Sequence, residues 1–215
     1  MTSGAINKPR VAGLIARYWW LLCIPALFAF YLAFVSLLVE MGKASDPDSQ
    51  ANIYFETALT LAPWHSDAAA SYGSHLRAYA VALPAGQERR DTLEQVLSLY
   101  EQAMKGRPLW PYYHLGAFDA EYLLGRPAGV IQSRFDLVTE LAPNERGLDR
   151  NLLELSLYNW QYLRKDQKQW VAHRLQKTQG SIRRDMLDII RELKAYNLNL
   201  CLELPWKLVR RACRE

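Results

Sequence analysis

An unbroken apolar run at residues 18–39, "YWWLLCIPALFAFYLAFVSLLV", constrains this chain more than any other feature. Its 22 residues carry no charge. As a helix rising about 1.5 Å per residue they extend roughly 33 Å, enough to cross the hydrocarbon core of a bilayer. Tyr18, Trp19 and Trp20 stand where an interfacial aromatic belt belongs. Pro25 falls near the start, where a membrane helix tolerates it. A cleaved signal peptide would have an apolar region of only about 7–15 residues and a small-residue cleavage site. The "MGKAS" that follows the run is a poor match to that pattern. The run reads as an uncleaved anchor.

Flanking charge orients it. Lys8, Arg10 and Arg17 precede the run, and Glu40, Lys43, Asp46 and Asp48 follow it. The basic side stays cytoplasmic, which predicts a single-pass, N-in protein of a bacterial inner membrane with its C-terminal part in the periplasm. The expected divisions are a cytoplasmic segment at 1–17, the anchor at 18–41, a helical domain at 48–200 and a C-terminal segment at 201–215. Residues 40–160 hold ten basic and sixteen acidic residues, and residues 161–215 hold thirteen basic and six acidic. Two readings of this asymmetry are open: attraction between faces of one domain, or a basic end reaching an anionic lipid or polymer. A net charge of +4 is too small to imply nucleic acid.

Beyond the anchor the composition favours an all-α chain, rich in Leu and Ala with few glycines. "FETALTLAP" at 55–63 is echoed by "YEQAMKGRP" at 100–108 and "FDLVTELAP" at 135–143. Each echo has an aromatic first, a small or β-branched residue fourth and proline ninth. Apolar stripes at helical spacing support helices, for example Leu93, Val96, Leu97, Tyr100, Ala103 and Met104. Asp91 with Glu94 predicts a capping box at the start of that helix. Further stripes run through Ala69, Tyr72, Leu76, Tyr79 and Leu83, and through Ile182, Met186, Ile189, Leu193 and Tyr196. Proline after each echo stops the helix, having no amide hydrogen to continue the ladder.

The spacing Pro108 to Pro143 is 35 residues, close to the 34-residue tetratricopeptide period, and Pro63 to Pro108 matches if 83–91 holds about ten inserted residues. On Phe55, Ala58, Pro63; Tyr100, Ala103, Pro108; and Phe135, Val138, Pro143, the chain resembles the tetratricopeptide family. It departs from that pattern at Val138. The resemblance implies stacked helical hairpins whose faces bury one another.

No phosphate-binding glycine loop, HExxH or GxSxG is present, and His65, His75, His114 and His173 lack zinc-like spacing. Asp119 and Glu121 lie at i and i+2, so a helix turns them apart. These features predict no metal, no cofactor and no catalysis. Two cysteines follow the anchor, Cys201 and Cys213. In an oxidising compartment they suggest a terminal disulfide, with two unrelated thiols as the alternative. "GRPLWPYYHLG" at 106–116 sets Trp110 between two prolines, with Tyr112 and Tyr113 opening the next helix. It reads either as an inter-repeat turn with core aromatics or as an aromatic contact surface for a protein or glycan. Trp160, Tyr162 and Trp170 have the same two readings.

Together the anchor, "RPLWP", "LAPNE…LYNWQYL" and "CLELPW…RRAC" resemble the VpsP-type polysaccharide biosynthesis proteins. The resemblance implies a non-catalytic accessory or scaffold role beside a membrane-embedded polymerase or export machinery of an exopolysaccharide or O-antigen. On that expectation Trp110, Tyr112 and Tyr113 are candidate contacts. Arg183, Arg184, Arg210 and Arg211 are candidates if the protein binds an anionic polysaccharide directly. A general periplasmic chaperone or secretion adaptor is the remaining alternative.

Overall fold

A computed structural model describes residues 18, 20–46, 52–196 and 198–214. The 1–17 segment, with Lys8, Arg10 and Arg17, lies outside the described residues, as do Trp19 and Asp48. The described chain is all helical, without strand. Its helices are α1 (Trp20–Ala44), α2 (Ile53–Leu61), α3 (Ser66–Ala82), α4 (Gln87–Gly106), α5 (Pro111–Leu123), α6 (Ala128–Leu141), α7 (Asp149–Tyr158), α8 (Lys165–Lys177), α9 (Gly180–Leu193), α10 (Leu198–Glu203) and α11 (Trp206–Arg214). Short 3₁₀ turns precede and follow α7.

Helix α1 is long and apolar enough to cross a membrane. Most of it is exposed, but Val35, Leu38, Val39 and Gly42 are buried, an i, i+3, i+4, i+7 stripe along its last turns. That stripe is a docking seam. Phe55 of α2 lies against Gly42, where a Cβ would meet its ring at 2.9 Å. Further back, the Tyr31 hydroxyl donates to the Leu61 carbonyl at 2.5 Å. Helix α2 therefore runs back along α1, joining that helix directly to the domain.

The three echoes have one local structure. Phe55, Tyr100 and Phe135 are buried, and Ala58, Ala103 and Val138 are wholly so. In each, the C-cap amide donates to the carbonyl of that small residue: Ala62 to Ala58, Arg107 to Ala103 and Ala142 to Val138. The proline follows immediately, and Pro63, Pro108 and Pro143 are exposed, ending the helix without entering the core. Consecutive helices pack on one another from α1 to α6, and α3 also meets α5, as α5 meets α7.

Two apolar cores result. Residues of α1–α5 form the first, and residues of α5–α11 the second. Helix α5 serves both: Tyr113, Ala117 and Ala120 belong to the first, Leu115 and Phe118 to the second.

Several expectations need revising. Helix α4 begins at Gln87, four residues before the anticipated capping box, and its N-cap Gly86 makes no side-chain cap bond. Most of the extra stretch after Pro84 thus lengthens a helix. In α9, Met186 and Ile190 are buried while Tyr196 is 87 % exposed. Residues 201–214 are part of the second core, with Leu204, Leu208, Val209 and Ala212 buried.

The first core holds three phenols against deprotonation. Burial, then hydrogen bonding to a carboxylate, pushes Tyr72 (beside Glu56) and Tyr113 (beside Asp67) up to about 12. Burial first and the Asp119 charge second do the same for Tyr100. An unfolded tyrosine ionises near pH 10, so the native state keeps protons that the unfolded chain releases. Stability is then full below pH 10 and falls as pH rises towards about 12. Denaturant midpoints measured across that window should drop, and should be level between neutral pH and its lower edge.

Candidate functional site

Alternate helices line a groove of about 350 Å3. Helix α3 contributes Ser74 and Arg77; α5 contributes Tyr112, Leu115, Gly116 and Asp119; α7 contributes Asn151, Glu154 and Leu155. The spacings are i, i+3, i+4 and i+7, so each helix presents one face. Tyr100 of α4 also lines the groove. Its ring lies so close to Gly116 that any side chain there would collide with it, which lets α4 and α5 approach.

The groove is charged. Arg77 Nε donates to Asp119 Oδ2 at 2.5 Å, and this bond raises the guanidinium pKa further. Asp119 is mostly buried and Arg77 partly exposed, so the pair joins α3 to α5 while leaving donors towards solvent. Glu154 forms no salt bridge among the described residues. Glu121 turns the other way: it is buried and paired with Arg134 of α6 at 2.6 Å. Arg134 also approaches His114 Nδ1 at 3.3 Å, so that nitrogen accepts and Nε2–H donates to the Pro108 carbonyl at 2.6 Å.

The expected aromatic contact set divides. Trp110, the N-cap residue of α5, and Tyr112 are 44 % and 39 % exposed, with ring centroids 5.5 Å apart. Tyr113 is 4 % exposed and its hydroxyl bonds Asp67. Tyr113 is a core residue, because one helical step of about 100° carries it from the open face to the packed one. Trp160 is also buried, and Trp170 packs edge-on against Phe135. Asp136 is bound by Arg164 and Gln167.

The four candidate arginines come together. Arg183 and Arg184, near the start of α9, face Lys207, Arg210 and Arg211 of α11 across a cleft of about 390 Å3. None of these five cations is ion-paired among the described residues, whereas Asp185 and Asp188 are engaged by Arg150 and Arg191. A disulfide joins Cys201 to Cys213 and closes the α10–α11 hairpin. Replacing both cysteines with serine should cost about 3 kcal/mol for a loop of this length. Hydrogen exchange should then show lost protection confined to 198–214.

Sequence reasoning missed a groove of about 680 Å3 between α8 and the hairpin, lined by Lys165, Lys168, His173 and Glu203. Lys168 and the Trp160 Nε1–H both bind Glu203, and these bonds, Lys168 foremost, hold its carboxyl below the usual range. The signal that marks this face is the recurrence of Lys165, Lys168, Gln169, His173 and Gln176 at helical spacing along α8. Among the described residues no group of three or more His, Cys, Asp or Glu is placed to hold a metal ion. No family model matches the chain, and no curated protein matches it.

Proposed function

We propose that this chain is a membrane-anchored, non-catalytic scaffold of bacterial exopolysaccharide or O-antigen biosynthesis. Its tetratricopeptide-like domain, on the periplasmic side, holds a polymerase or export component by protein contact. The observation that carries this reading is the α3–α5–α7 groove, charged along its length and joined through α2 to a helix able to cross a membrane. Tethering confines the search for a membrane partner to a surface, so weak groove contacts suffice. The glycan context comes from the sequence resemblance.

In-cell photo-crosslinking from Tyr112, with mass spectrometry of the adducts, tests the reading. Polymerase or export components are the expected products, and Asp119→Arg should abolish them. General secretion machinery as the sole product would replace this reading with a chaperone or secretion adaptor.

The basic cleft favours a second reading, direct binding of an acidic polysaccharide. Guanidinium forks match carboxylate geometry, and none of the five cations is ion-paired among the described residues. The full-length protein in zwitterionic nanodiscs should then retain polygalacturonate but not dextran, with retention lost in Arg210→Glu/Arg211→Glu and at high salt. Equal retention of both polymers would discard it.

A further inference from the structure

We propose that the edge formed by Leu61, Trp64, Leu109 and Trp110 dips through the interfacial layer into the nearer leaflet of the bilayer that α1 crosses, so that the helical domain is seated in the membrane surface. The inference depends on α1 being a membrane helix. It is independent of the partner proposed above.

The geometry begins at the Tyr31–Leu61 hydrogen bond. Tyr31 lies nine residues before Glu40, the first charge after the apolar run. At about 1.5 Å per residue that is roughly 13 Å towards the bilayer centre. Helix α2 therefore delivers its C-terminal turn alongside apolar helix, to a level where the neighbouring α1 residues Phe30 and Phe34 are themselves exposed. Trp64, in this turn, is 63 % exposed.

The α4–α5 turn lies beside it. Gln102 donates to the Pro63 carbonyl at 2.8 Å, Arg107 pairs with Asp67 at 3.2 Å, and Gly106 leaves room for no more than the Ser66 hydroxyl. This second turn exposes Leu109 at 75 % and Trp110 at 44 %. Two adjacent turns thus present two tryptophans and two leucines to the outside, with a cationic residue between them. Tryptophan with a snorkelling cation is the composition of a membrane interface.

The opposite edge differs. Its turns carry Pro84, Ala85 and Gly86, followed by Glu88, Arg89 and Arg90, and later Gly125 and Arg126. Among the described residues of α2–α6, the large exposed aromatics are Trp64, Trp110 and Tyr112, all on the first edge or next to it. The α6–α7 turn, Pro143-Asn144-Glu145, is polar and exposed. The membrane contact therefore ends after two turns.

Full-length protein in nanodiscs, carrying a benzophenone amino acid in place of Phe28, Trp64, Leu109, Ala85 or Gly129, tests this by lipid adduct formation. All five sites are exposed. Lipid adducts at 28, 64 and 109, absent at 85 and 129, are the expected result. Adducts at 28 without any at 64 or 109 would overturn the seated edge and leave the anchor standing. Equal adducts on both edges would overturn it also. No adduct at 28 would remove the membrane helix, and this inference with it.

Discussion

Replacing Trp160 with alanine is expected to destabilise the protein by about 3–5 kcal/mol, the usual cost of deleting a buried indole. Trp160 is 1 % exposed and occupies the 3₁₀ turn between α7 and α8. Its Nε1–H donates to Glu203 of α10 at 2.8 Å, and Lys168 Nζ lies 5.4 Å from its ring centroid. One side chain thus ties α8 and α10 to the α7 end. For a chain of this length, each kcal/mol moves the thermal midpoint by about 2–4 °C, so a fall of roughly 10 °C is expected in detergent micelles. Trp160→Phe keeps most of the volume and should cost about 1 kcal/mol through the lost hydrogen bond. Equal losses for the two variants would show that the indole volume contributes nothing.

The second large effect concerns Arg134. Its side chain is 18 % exposed and that of Glu121 is 5 % exposed. Changing Arg134 to methionine leaves the carboxylate buried without its cation, at a cost of about 3–5 kcal/mol. His114 loses a donor at the same time. The double variant Arg134→Met/Glu121→Leu should recover most of the loss, because removing both charges removes the desolvation penalty as well. Denaturant titration of the two variants and the parent decides this. A double variant no more stable than the single one would mean that the pair acts through packing.

Much of the architecture could be read in the chain. An uncharged run of 22 residues has few structural solutions. The echoes at Phe55, Tyr100 and Phe135 were legible because each ends in the same cap, whose chemistry is local. The start of α4 was not, because Gly86 caps it without a side chain and the charged turn that follows has no apolar period. Trp110, Tyr112 and Tyr113 looked alike as neighbours; only the phase of α5, set by its two cores, separates the exposed rings from the buried one. The groove was hidden for a further reason. Arg77, Asp119 and Glu154 come from three helices, and no local pattern announces which helices will stand side by side. The four arginines stand out in the sequence by type alone, while their convergence across a cleft depends on α9 packing against α11.

Helix α5 is the shared wall of both cores, buried on the first side by Tyr113, Ala117 and Ala120 and on the second by Leu115 and Phe118. Neither half of the domain can be loosened at that wall without exposing residues of the other. Mechanical load applied at the disulfide-closed hairpin would pass through this wall and its neighbours before reaching α1, so a partner pulling on the far end would draw on that first helix as well.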